Sequence, residues 1–317
     1  MRRTTVILIL VLNAFTSAQA HGLAHAQKGA RGGVVSRSRS ERARRLRAGE
    51  AEAFIERVRA GDARAVRRML ARGADPNSKS AKGAPAIVIA ARAGSAGLVR
   101  SLLDAGANVN ADDNNQYTAL HYAAQSGNLS LVELLLGRGA AVNKPGYDDH
   151  TVLIFAMQGA SLSRMPGLLL ELMLRYEKDE GDDGVTPRHL GKIEDYRRVT
   201  ARLIEAGAEV NIVADCGETA LTAASCDAAL TRMLLAEGAR VDYGLSSPLC
   251  LIADGDREKV GAAYLGELGD GLSASQRRAL ARALRRWWVE AAPQRHEVER
   301  LLVAAGADRR GCGEDES

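Results

Sequence analysis

The chain has 317 residues, enough for two ordinary domains by length, but only 4% of them are aromatic against 32 glycines and a 46% hydrophobic content. That composition argues against one large core and suits thin layers of small helices. The net charge of +4 is unevenly spread: residues 21–72 carry 14 Lys and Arg against 5 Asp and Glu, about +9, which leaves the chain beyond them net acidic.

Residues 1–20 have the layout of a secretory signal peptide. Arg2 and Arg3 are followed by the apolar run from Val6 to Leu12 and by the small-x-small stretch Ala18-Gln19-Ala20. The run is too short for a comfortable membrane span. Cleavage after Ala20, cleavage after Ala26 and retention as an anchor all stay open. Residues 21–49 read as a basic, flexible lead in which Arg37, Arg39, Arg42, Arg44, Arg45 and Arg47 cluster. From about Glu50 to Ser78 a helix pair is expected. Phe54, Ile55 and Val58 lie on one helix, and Val66, Met69 and Leu70 on the other. The arginines around them (Arg57, Arg59, Arg64, Arg67, Arg68 and Arg72) suit the polar face of an end unit.

The clearest stretch is Tyr117–Asn143. Thr118 can N-cap a short helix that carries Leu120, Ala123 and Ala124 and ends at Gly127. A second helix from about Ser130 carries Leu131, Val132, Leu134, Leu135 and Leu136. Gly139 can then turn left-handed without a Cβ clash. Neither helix could bury its apolar face alone. The stretch resembles an ankyrin repeat, whose pattern is Gly-x-Thr-Pro-Leu-His-x-Ala-Ala, then an apolar helix, then Gly-Ala-x-Val-Asn. The Gly-Ala pair recurs at Gly73, Gly106, Gly207, Gly238 and Gly306. Helix starts fall at Glu52, Pro85, Thr118, Thr151, Thr186, Thr219, Ser247 and Arg285, which reads as eight units within residues 50–310.

The fourth unit is expected to have an extended connection from Ser161 to Gly167, then a second helix over Leu168–Leu174. The fifth keeps Thr186-Pro187-Arg188-His189 but then departs from the pattern, so its first helix is expected to be short or re-angled. The seventh opens at Ser247-Pro248-Leu249, with Pro248 at the first helical position, and ends in a loop from Gly266 to Ser275. In the eighth, Trp287 and Trp288 are read as sealing the last layer. Residues 311–317 are a disordered tail.

No phosphate-binding loop, nucleophile elbow or metalloprotease motif occurs. His121 and His189 stand at the fourth position of the Thr-Pro-Leu-His signature, where the resemblance implies a structural hydrogen bond. His150 has no second His or Cys at ligand spacing. Cys216, Cys226, Cys250 and Cys312 allow three disulfide pairings, all open.

The resemblance implies an all-α solenoid of helix-loop-helix units joined by hairpin-like turns, and protein recognition through turn tips and first helices. The candidate partner-binding residues are Asp112, Asp113, Asp148, Asp149, Asp182, Asp183 and Asp215 in the turns, with Tyr117, Tyr122 and Gln125 beside them. Acidic turns suit a basic protein partner, although Asp is also ordinary turn chemistry. The expected protein is a non-enzymatic, monomeric scaffold, periplasmic or secreted from a bacterium. No catalytic residue, cofactor, metal or nucleic acid is expected, and no integral membrane segment after signal cleavage. The alternative is an envelope-associated structural protein held by the basic lead.

Overall fold

The computed structural model describes residues 39–164, 190–215, 217–224, 227–241, 282 and 292–307. The signal-like segment, all four cysteines, both tryptophans, His189, Asp182 and Asp183 lie outside them.

The helices are α1 (Arg39–Arg59), α2 (Ala63–Ala71), α3 (Ala86–Arg92), α4 (Ala96–Asp104), α5 (Ala119–Gln125), α6 (Leu129–Gly137), α7 (Val152–Ser163), α8 (Ile193–Glu205), α9 (Ala220–Ala223), α10 (Ala228–Ala236) and α11 (Ala292–Ala304). They stack in two rows. α1, α3, α5, α7 and α9 pack in succession as an inner row, and α2, α4, α6, α8, α10 and α11 as an outer row. α1 begins at Arg39, well before the helix start expected near Glu52, so it takes in part of the basic lead.

Local chemistry sets the helix ends. Asp62, Asn128, Thr151 and Asp227 each accept an N–H from the first turn of the helix that follows. At the far ends the Gly-Ala pairs close the outer helices. Gly139 sits at φ 80°, its N–H donates to Leu136 O, and the Ala140 N–H reaches back to Leu135 O at 3.0 Å. That is the geometry of a left-handed C-terminal cap, and it repeats at Gly73, Gly106, Gly207, Gly238 and Gly306. A cap contributes about 1 kcal/mol. Each fully buried leucine, such as Leu98, Leu120, Leu131 or Leu135, contributes roughly 1.5–3 kcal/mol. Packing between layers therefore dominates.

His121 ties inner helix to turn. The Thr118 N–H donates to His121 Nδ1 at 3.1 Å, and His121 Nε2 lies 3.3 Å from the carbonyl of His150 in the next turn. With Nδ1 accepting, Nε2 carries the proton and donates. The ring is fully buried, and that burial pulls its pKa from 6.5 down to about 3.

Among the described residues, the layering between Thr151 and Gly207 differs from the two units read there in the sequence. α8 packs against both α6 and α7, so α7 and α8 are the inner and outer helices of one layer that closes at Gly207. The helices read in the sequence as belonging to a fourth and a fifth unit, α7 and α8, thus pair as one layer. Asn side chains explain the register. Asn77, Asn110 and Asn143 each donate to the carbonyl of the next layer's closing glycine (Gly106, Gly139 and Gly207) and accept an N–H two residues further on. Asn211 does the same with Gly238 and Arg240. At the other end α11 packs directly on α10, the next outer helix before it among the described residues. Ser161–Ser163 also differ from expectation, since they form the last turn of α7.

α7 is buried on nearly every side, from Val152 to Ala160. Its Gly159 lies against the Gln125 backbone carbonyl and the Tyr196 ring. Tyr196, buried on α8, donates its hydroxyl to Gln125 O at 2.8 Å, and burial pushes its pKa upward. A methyl group at Gly159 would collide with backbone, which cannot swing aside. Ordinary helix propensity would gain up to about 1 kcal/mol from Gly→Ala, while overpacking costs about 1–3 kcal/mol. Gly159→Ala therefore lowers unfolding free energy by about 1–2 kcal/mol in denaturant titration. Gly97→Ala, on α4 with open space around it, raises it by a few tenths to about 1 kcal/mol. For His121, the unfolded chain binds a proton below pH 6.5 while the folded ring resists until about pH 3. Its contribution to stability is complete above pH 6.5 and is lost as pH falls toward 3. Thermal melts across this window should show a falling midpoint. His121→Gln should be less stable at neutral pH but show a shallower fall.

Candidate partner-binding face

The turns between layers fold as tight hairpins. Isolated antiparallel bridges join Lys79 to Pro85, Asp112 to Thr118 and Val213 to Thr219. The hairpins are bonded side by side. Asn114 Nδ2 donates to Lys82 O at 2.7 Å, the Tyr147 N–H donates to Asn115 O at 2.9 Å, and the Asp215 N–H donates to Asp148 O at 2.9 Å. Four consecutive turn tips thus form one connected row.

The row's carboxylates differ in what they touch. Asp112 is half-buried, and its Oδ2 accepts from Lys144 Nζ at 2.7 Å. That hydrogen bond holds its carboxyl below the usual carboxylate range, with desolvation opposing it. Asp113 folds back into its own turn. It accepts from the N–H groups of Asn115 and Tyr117 at 3.0 and 3.1 Å and from the Tyr122 hydroxyl at 2.6 Å. Desolvation raises its pKa, against the lowering effect of those bonds. Asp148 is half-buried, while Asp149 and Asp215 are exposed. Asp148 and Asp149 hold left-handed φ values of 54° and 57° in a short 3-10 turn, Tyr147–Asp149. Asp tolerates that region better than most side chains, and the tight turn lifts the pair to the tip. No side-chain hydrogen bond or ion pair joins Asp148, Asp149 or Asp215 to another described residue.

Two of the expected contact residues point inward. Tyr117 is 5% exposed, with its ring 4.5 Å from Phe155 and 5.5 Å from His121. Its flank lies against Gly146, where a Cβ would overlap the ring. Gln125 is also 5% exposed, under Gly159 and Tyr196. Both fill the seam between the third and fourth layers and offer a partner no surface in this structure. Tyr122 stays half-exposed, between the Asp113 carboxylate and the Arg92 guanidinium, whose carbon lies 5.0 Å over its ring.

Phe155, Lys144 and Glu218 were not picked out by residue type. Glu218 is buried, accepts from Gln158 Nε2 at 2.8 Å and lies 3.3 Å from His150 Nε2. A positional signal was present. Ala84, Tyr117, His150 and Glu218 each precede the residue that starts an inner helix, so they share one register position in successive layers. Among the described residues no group of three His, Cys, Asp or Glu side chains converges to hold a metal ion, and no helix is long and apolar enough to cross a membrane.

Residues 54–146 match the family model for ankyrin repeats in three copies. No curated protein matches the chain. Ankyrin repeats form protein–protein interaction scaffolds and are typically non-enzymatic modules. The layers within residues 54–146 are ankyrin repeats, and among the described residues the same helix pairing continues through α10 and the same Gly-Ala closures recur at Gly207, Gly238 and Gly306.

Proposed function

We propose that this protein is a non-catalytic scaffold, exported to the periplasm or secreted, that captures a basic protein partner on the row of turn tips around Asp148, Asp149 and Asp215. The observation that carries the reading is the connected row itself. The tips are bonded laterally into a rigid edge, and on it stand Asp148, Asp149 and Asp215, whose carboxylates pair with no other described residue. A preformed edge lowers the ordering cost of association. Clustered carboxylates speed encounter with a cationic surface and select for it. Tyr122, gripped by Arg92 and Asp113, adds a half-exposed aromatic ring held in one orientation. Export rests on the first twenty residues, whose charged start, apolar run and small-residue site follow the order of a secretory leader.

Asn keeps the shape of Asp and tolerates the left-handed backbone, so Asp148→Asn, Asp149→Asn and Asp215→Asn together remove charge alone. In pull-downs from periplasmic extract, the triple variant should retain a tenth or less of the wild-type capture, and raising salt should weaken capture by the wild type. Its thermal midpoint should stay within a few degrees. Undiminished capture by a folded triple variant would remove this edge as the binding site.

A further inference from the structure

The first layer carries a second charged surface, of opposite sign. Along α2, Arg64, Arg67 and Arg68 are exposed on one side, opposite the buried Ala65 and Val66. Arg57 on α1 and Arg72 just past α2 are exposed as well. None of these five has a side-chain hydrogen bond or ion pair to another described residue. The Asp62 carboxylate beside them is engaged with the Ala65 N–H at 2.9 Å, and Glu56 with Arg59. Later in the array Arg138, Arg202, Arg232 and Arg300 each have a carboxylate partner, while Arg100 and Arg198 stand singly without one among the described residues. Among the described residues, the arginines without a carboxylate partner thus cluster on the end layer. They continue the basic stretch from Lys28 to Arg47 in sequence, while the chain beyond Arg72 is net acidic.

We infer that this arginine face of the first layer docks on an anionic phospholipid surface, and that the molecule sits on it end-on. Guanidinium groups pair with phosphate through paired N–H donors, and each basic side chain near such a surface adds to binding. The charge asymmetry orients the array, since its acidic remainder is repelled. A nucleic acid is a poorer fit. The first layer's aromatic residue, Phe54, is fully buried and offers no base a stacking platform. The chain also has its own means of reaching a membrane, because the apolar run from Val6 to Leu12 lies upstream of the same basic region. This surface lies on other residues than the acidic turn row, so either can fail without the other.

The test uses the full chain and its Arg64→Gln/Arg67→Gln/Arg68→Gln variant, both keeping residues 1–48. Each is sedimented with vesicles of phosphatidylglycerol mixed with phosphatidylcholine, and of phosphatidylcholine alone. The wild type should partition onto the anionic vesicles, release as salt rises, and ignore the neutral ones. The variant should lose on the order of tenfold or more in partition coefficient, with an unchanged thermal melt showing that it is folded. Equal partitioning of the two proteins would overturn the proposal and assign the binding to the lead. Binding to duplex DNA with none to anionic vesicles would overturn it in favour of a nucleic acid. Equal binding to neutral vesicles would show insertion of the apolar run instead of docking by arginine.

Discussion

Everything in this fold depends on one layer being held against the next, and the Asn bridge is the most specific means of doing so. One side chain amide donates to the carbonyl of the neighbouring layer's closing glycine and accepts an N–H two residues beyond it. A glycine there turns left-handed, which leaves its carbonyl facing the preceding layer. The bridge thus needs the cap, and the cap needs the outer helix to end where it does. Apolar burial supplies most of the stability, but it is non-directional. The Asn bridges and the His121 contact to His150 O define the spacing at which that burial occurs.

This division explains what the sequence revealed. Helix caps, Gly-Ala closures and apolar faces are local, so Thr118, Thr151, Thr219 and the closing glycines were all legible at the right places. Layer membership is not local. Thr186-Pro187-Arg188-His189 keeps a good signature, yet the helix that follows, α8, is an outer helix completing the layer that α7 began. The Asn positions carried the layer spacing among the described residues. Asn77, Asn110 and Asn143 are evenly spaced, and the next bridge among the described residues comes at Asn211, after the one layer formed by α7 and α8.

The binding face was legible in part for a similar reason. Acidic turn residues can be found by type, but type does not tell a carboxylate that serves its own turn from one that is free. Asp113 and Asp149 occupy comparable turns. The first accepts three hydrogen bonds and is shielded by Tyr122, whereas the second stands exposed on a left-handed backbone. By type and by position at the two ends of an inner helix, Tyr117 and Gln125 are expected on a contact surface. Their register directs them at the following layer, where Phe155, Gly146 and Gly159 receive them.

That register position also shows how the array distinguishes its seams. Running through successive layers it reads Ala84, Tyr117, His150, Glu218. Between the third and fourth layers the seam is aromatic, with Tyr117, His121 and Phe155 in mutual contact. Between the fourth and fifth it is polar, with both His150 ring nitrogens facing acceptors and Glu218 buried against His150 and Gln158. A buried ionisable pair adds little net stability over a well-packed apolar one, but separating its members costs about 3–5 kcal/mol. Stacking the fifth layer on the wrong neighbour would bury Glu218 without a partner. The penalty falls at the layer of α7 and α8, which are separated by the longest stretch of sequence within any described layer, so the polar seam fixes layer order where local sequence fixes it least.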